Sequence, residues 1–297
     1  MAVLETRSSL RGSLARRAAA APPELYFVGS AVFHYLGPAF AVLLFARVEP
    51  LGVAWLRIVS AAAIFALWRR PWRALEGADR ATRRTIVALA VVFAAMNACF
   101  YVAIDRLPLG TVAAIEFLPV IALAAFGARR GRNAAALGIA VVGVYVLTDV
   151  ELEGEPVGLA FAFANASLFA AYVVLAHRLA RTVTLGRLDG LALAMILAAV
   201  VATPMAGWSA LPALADPVAI AAGIGVGLAS SVVPYVFDQL AMSRLSRATY
   251  SFMVALLPAT AVVVGIVVLA QIPSALEVVG VALVVVAVAL HSEPRGS

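Results

Sequence analysis

Ten apolar runs, each about long enough to cross a bilayer as a helix, fill nearly all of residues 24–291. They cover roughly 24–45, 50–69, 84–104, 108–127, 133–149, 156–180, 187–207, 216–242, 247–270 and 274–291. The connections between them are short, so sequence neighbours are expected to run antiparallel, and no segment is long enough for a separate soluble domain. With 64% hydrophobic and 13% charged residues, the composition excludes an ordinary globular chain. The predicted fold class is all-α integral membrane, with ten transmembrane helices.

The arginines test this division. All 22 basic residues are Arg. If the N-terminus is cytoplasmic, nineteen fall in the inside loops and termini: Arg7, Arg11, Arg16, Arg17, Arg69, Arg70, Arg73, Arg80, Arg83, Arg84, Arg129, Arg130, Arg132, Arg178, Arg181, Arg187, Arg244, Arg247 and Arg295. Only Arg47 and Arg106 fall outside, and Arg57 lies within a span. Cytoplasmic loops are enriched in Arg, so this split supports ten spans with both termini inside. Residues 1–23 are then a cytoplasmic arm and 292–297 a cytoplasmic tail. The net charge of +6 is spread over separate loops rather than one face, which argues against nucleic acid as a partner. Cys99 is the only cysteine, so no intramolecular disulfide or Cys-pair metal site can form. His34, His177 and His291 are scattered, and no HExxH, GxSxG or phosphate-loop motif is present. Neither an enzyme nor a cofactor-bound or ATP-driven protein is expected.

Five spans per half is an odd number, so halves sharing a fold must be inserted in opposite orientations. The sequence hints at such sharing. LPLGTVAAIEFLP, an arginine turn and ALGIAVVGV in the first half are echoed by LSRATYSFMVALLP, QIPSALE and VVGVALVVV in the second. Pro119 aligns with Pro258, and Gly138 with Gly280. Gly138 and Gly143 are small residues suited to close helix packing in lipid. The expected units are a five-helix repeat over 24–149 and an inverted one over 150–291. Inverted repeats around a midplane site are the architecture of alternating-access transporters, in which a small-molecule substrate meets a site between the halves. Fusing the two repeats removes the need to dimerise, so a lipid-embedded monomer is expected.

With this order on the page, residues 24–291 resemble the drug/metabolite transporter superfamily, EamA branch. Pro108-Leu109-Gly110, followed by Ala113, Glu116, Phe117 and Pro119, is similar to the run found in bacterial threonine/homoserine exporters. Aromatic amino-acid exporters are the nearest other subgroup. The resemblance implies an inner-membrane exporter of amino acids or related metabolites. A broad drug exporter is a second reading, and a non-transporting membrane enzyme or scaffold a third. Where the family often carries acids after its fourth and ninth helices, Arg129 and Gln271 stand here. The membrane glutamate that small multidrug antiporters carry in helix one is absent, and His34 is the titratable group in that span, which puts simple proton antiport in question.

Charges inside a bilayer are costly and mark function. At 1.5 Å per residue, Arg57 and Glu116 each lie about 10–12 Å below the outer surface. They form either an ion pair that stiffens the outer half or two poles that hold a zwitterionic substrate. His34, near the middle of span one with Pro38 one turn on, is a candidate proton sensor or a neutral histidine bonded between helices. Asn97 and Tyr101 share one face of span three, and Asn165, Phe169 and Tyr172 one face of span six. Either stripe lines a cavity or packs helices. Span eight carries Gly227, Ser231, Pro234 and Asp238 on one strip, the interrupted pattern of a hinge or binding site. Ser231 is a cavity candidate, and Pro38, Pro119, Pro234, Asp238 and Pro258 are hinge or gate candidates.

Overall fold

A computed structural model of the chain describes residues 22–72, 78–127, 131–152, 155–180, 187–242, 245, 253–254 and 256–290. Among these residues there are helices and no strands. In chain order they are α1 (Pro23–Leu44), α2 (Pro50–Arg69), α3 (Arg80–Arg106), α4 (Leu109–Gly127), α5 (Gly131–Leu152), α6 (Pro156–Ala180) and α7 (Arg187–Ala206). A 3₁₀ turn (Trp208–Ala210), the short α8 (Leu211–Leu214) and α9 (Pro217–Gly227) follow. A π-turn (Leu228–Val232) then joins α9 to α10 (Val233–Met242), and α11 (Leu257–Leu269) and α12 (Ala275–Leu290) end the described chain. The predicted arm over 1–21, and Arg73, Arg129, Arg130, Arg181, Arg244, Arg247 and Arg295, lie outside the described residues.

Six helical stretches are long and apolar enough to cross a membrane: Glu24–Leu44, Pro50–Arg69, Arg80–Arg106, Pro156–Leu179, Asp189–Ala206 and Pro217–Phe237. Leu109–Pro119, Gly131–Leu147, Leu257–Leu269 and Ala275–Leu290 are apolar but shorter.

Local chemistry sets the helix starts. Proline stands in the first turn of α1, α2, α9 and α11, where its missing N–H costs nothing. Asp79 caps α3 by accepting from the Thr82 N–H at 2.8 Å, and Asp216 caps α9 by accepting from Val218 at 2.9 Å. Ser274 and Glu277 form a reciprocal capping box on α12, each accepting from the other's backbone N–H at 3.2 and 2.7 Å. Gln271, standing where an acid was expected, accepts from the Leu109 N–H at 3.1 Å and so caps α4 from across the fold.

Ion pairs tie the two ends of the bundle. Arg47 meets Asp216 at 3.0 Å and Arg106 meets Glu155 at 3.7 Å at one end. At the other, Arg69 meets Asp189 at 2.9 Å. Exposed pairs of this kind contribute little individually. The backbone amides of Val218 and Ala219 and the Arg47 guanidinium together hold the Asp216 carboxyl below its usual range. A carboxyl with a depressed folded-state pKa stabilises above its unfolded value, near 4, and loses that contribution as pH falls through the folded value. Asp216→Asn should therefore lower the thermal midpoint above about pH 4, where the carboxylate contributes, and leave it nearly unchanged in acid, so that the acid limb of the profile flattens.

Helix packing is dominated by α3 on α6, α5 on α12, α2 on α7, and α1 on the α9–α10 rod. Gly143 and Gly280 make the α5–α12 crossing. A Cβ on Gly143 would lie 2.8 Å from the Gly280 carbonyl oxygen, and one on Gly280 would lie 3.0 Å from that of Gly143. Gly138, the sequence landmark, faces open space instead. The largest core cluster includes Leu44, Val48, Val53, Ile104, Leu107 and Leu109, and these six close the Arg47 end of the bundle.

Candidate functional site

A cavity of about 290 Å³ lies among α1, α2, α3, α4, α6, α10 and α11. It begins about 10 Å below the Arg47 end, at Pro38, Arg57 and Glu116, and runs toward the Arg69 end, to Phe27 and Tyr172. Eight of the residues singled out in the sequence line it: Arg57, Glu116, His34, Asn97, Asn165, Phe169, Tyr172 and Pro38.

Arg57 and Glu116 are both buried on these walls, yet no ion pair joins them. The Arg57 guanidinium turns to other partners. Its Nε donates to Ser231 Oγ at 3.3 Å and its Nη2 to the Ser230 carbonyl at 3.4 Å. It also stands over the Tyr101 ring, 5.6 Å from the centroid. Tyr101 and Ser231 are therefore behind the arginine rather than on the cavity surface. These bonds are long and their acceptors are neutral, and a cation–π contact supplies about 0.5–2 kcal/mol, whereas a buried charge without a counter-charge is strongly disfavoured.

Asn165 is fully buried beside the Glu116 carboxyl. Among the described residues neither its amide nitrogen nor its oxygen meets hydrogen-bond geometry with a protein group. The Tyr101 and Ser230 hydroxyls are likewise buried and unpartnered. Four such atoms cluster around two charges, where buried polar atoms are as a rule satisfied. Asn97 turns its amide back to the Phe93 carbonyl at 2.8 Å. His34 packs edge to face on Tyr35 at 5.2 Å.

The rest of the wall is aromatic. Phe169 stacks on Tyr172 at 6.1 Å and meets Phe117 edge-on at 6.2 Å. Phe93 tilts against Tyr172 at 6.0 Å. The Tyr172 and Tyr235 hydroxyls, 3.4 Å apart, bring α6 to α10. Phe93, Met96 and Phe100 were missed in the sequence although they flank Asn97 at i−4, i−1 and i+3, the spacing of a shared helix face.

Among the hinge candidates, Pro234 is buried, and its carbonyl accepts from Ser30 Oγ at 3.2 Å. Pro119 is half-buried within α4 and does not line the cavity. Pro258 is buried in the first turn of α11, next to Leu257 of the wall. The Asp238 side chain lies outside the described residues. Among those residues no group of three His, Cys, Asp or Glu side chains is placed to hold a metal.

Residues 156–292 match the EamA-like transporter family. The threonine/homoserine exporter RhtA of Escherichia coli (strain K12) is 28% identical over 243 residues, 79% of each chain. The threonine/homoserine exporter RhtA of Salmonella typhimurium (strain SL1344) is 26% identical over 259 residues, 84% of each. A solved crystal structure shares the fold, with a TM-score of 0.57 at 18% identity over 90% of this chain and 95% of its own. Residues 156–292 are thus an EamA-like transporter domain of the drug/metabolite transporter superfamily, in a chain that is a distant homologue of the threonine/homoserine exporters.

Proposed function

We propose that the chain is a ten-span secondary transporter of the inner membrane that exports amino acids by alternating access. One observation carries this reading: two buried opposite charges, Arg57 and Glu116, stand on the walls of one cavity without pairing. A zwitterion fits such a site, with its carboxylate at Arg57 and its ammonium at Glu116 and the Asn165 oxygen. The aromatic wall takes the side chain. Threonine or homoserine is one substrate class, by likeness to the relatives, and larger neutral amino acids are another.

The helix contacts support two inverted five-helix units. Arg132 at the start of α5 donates to the Leu290 carbonyl at the end of α12. Trp55, early in α2, donates to Thr203, late in α7, at 3.0 Å. Leu109 at the start of α4 meets Gln271 just beyond the end of α11. All three pairs of equivalent helices therefore run in opposite directions. The pairing of α3 with α6 is matched by that of α9–α10 with α1. The EamA-like match over 156–292 also begins where the second unit is placed. The arginine distribution supports a cytoplasmic Arg69 end, which puts the cavity on the cytoplasmic side of a closed outer end.

Counterflow in proteoliposomes with a panel of amino acids, with and without a pH gradient, tests the reading and asks whether protons are the coupling ion. No flux for any amino acid sinks it. The aromatic wall favours a second reading, a broad exporter of apolar cations. That reading predicts flux of such cations and none of amino acids. Asn165→Leu separates binding from folding. Removing an unsatisfied buried amide should leave stability unchanged or raise it by about 1 kcal/mol, while counterflow falls, as read by thermal melts and flux on one preparation.

A further inference from the structure

Span eight is broken, and side chains from two other helices hold the break. In the π-turn the Val233 N–H reaches the Leu228 carbonyl five residues back, one residue farther than in an α-helix. Pro234 has no N–H, so the donor that an α-helix would present to the Ser230 carbonyl does not exist. Arg57 Nη2, from α2, donates to that carbonyl at 3.4 Å, and Arg57 Nε donates to Ser231 Oγ at 3.3 Å. From α1, Ser30 Oγ reaches the Pro234 carbonyl at 3.2 Å. The same guanidinium also lines the cavity. Its bonds to the turn are long, and every acceptor is uncharged. A carboxylate entering the cavity is a stronger, charge-assisted acceptor.

We infer that Arg57 is a substrate-released latch on the broken helix: it replaces the donor that Pro234 withholds from Ser230, and a carboxylate in the cavity draws it off and frees the turn to move. Pro234 and Ser231 are then positioning residues for Arg57. The release step rests on the amino-acid reading, whereas the latch itself does not. A guanidinium that only filled space beside the turn would not be replaceable by one backbone N–H. It would also not distinguish a carboxylate from an alcohol.

Hydrogen–deuterium exchange of the full-length protein in nanodiscs, read on peptides spanning 226–236, tests both parts. Arg57→Met should speed exchange there about tenfold, the effect of losing a charge-assisted hydrogen bond. Adding Pro234→Ala to that variant should return exchange toward the wild-type rate, because with a donor at 234 the turn can close to the α-helical register, in which that N–H meets Ser230. Ser231→Ala, which keeps the charge, should give a smaller rise in the same peptides. It serves as the test variant if Arg57→Met does not fold. Unchanged exchange in the variant that folds, or no recovery with Pro234→Ala, overturns the latch. In the wild type, saturating L-threonine or L-phenylalanine should speed exchange, and threoninol, which lacks the carboxylate, should not. Equal responses to threonine and threoninol overturn the release step. If neither amino acid changes exchange and neither supports counterflow, the amino-acid reading has failed while the latch stands on its variants.

Discussion

Proteoliposomes carrying Glu116→Gln should lose amino-acid counterflow by about tenfold or more, the loss that follows when roughly 1.4 kcal/mol of differential binding is removed. The protein itself should fold and melt much as the wild type does. Gln keeps the shape of Glu beside Asn165, but it has no charge to offer an ammonium. Among the described residues Glu116 has no ion-pair partner, so neutralising it strands no buried cation paired there. It also removes a desolvation cost. The structural reading of these charges, an ion pair that stiffens the outer half, predicts the reverse order: a large loss of stability and a lesser loss of flux. Exchanging the two charges, with Arg57→Glu and Glu116→Arg together, should not restore transport, because the pair is not in contact. Unchanged flux in Glu116→Gln would remove this residue from the mechanism.

Gly37→Ala should be the most disruptive single methyl group in α1. A Cβ there would run into Ser230 Oγ and lie 2.7 Å from the Ser230 backbone nitrogen. The hydroxyl can rotate away, but the backbone of the π-turn cannot. Helix α1 must then lift off the broken helix, an overpacking cost of about 1–3 kcal/mol, and the Ser30–Pro234 bond lengthens with it. A lowered thermal midpoint with reduced counterflow is the expected result. Adding Ser230→Gly should recover only part of either, because the clash with the nitrogen remains. Full recovery would place the conflict in the side chain alone.

The sequence made some of this legible and hid the rest for physical reasons. The apolar helices were readable because lipid demands long apolar runs whatever the tertiary contacts. The break in span eight was readable because Gly227 and Pro234 act on their own backbone. Depth put Arg57 and Glu116 at one level, since both spans enter from the same end. Depth could not say what each charge touches. Periodicity put Asn97 and Tyr101 on one face, but only the fold shows Tyr101 under the guanidinium and Asn97 on the wall. Gly138 aligned with Gly280 in sequence, whereas Gly143 meets it in space, because a helix crossing depends on rotation that no alignment of apolar runs determines. Gln271 looked like a lost acid. It is a cap for α4, and its partner is 162 residues away.

The seams between the two proposed five-helix units also bear on mechanics. Helix α3 packs most extensively on α6, and α1 on the α9–α10 rod, while α1 with α2 and α6 with α7 make only slight contact. Each half of the chain grips the other more tightly than parts of itself. A body that rocks as a unit therefore has to be assembled from both halves, and the sliding surface cannot follow the midpoint of the polypeptide. A crosslink between α3 and α6 would ride inside one such body and leave the cycle running.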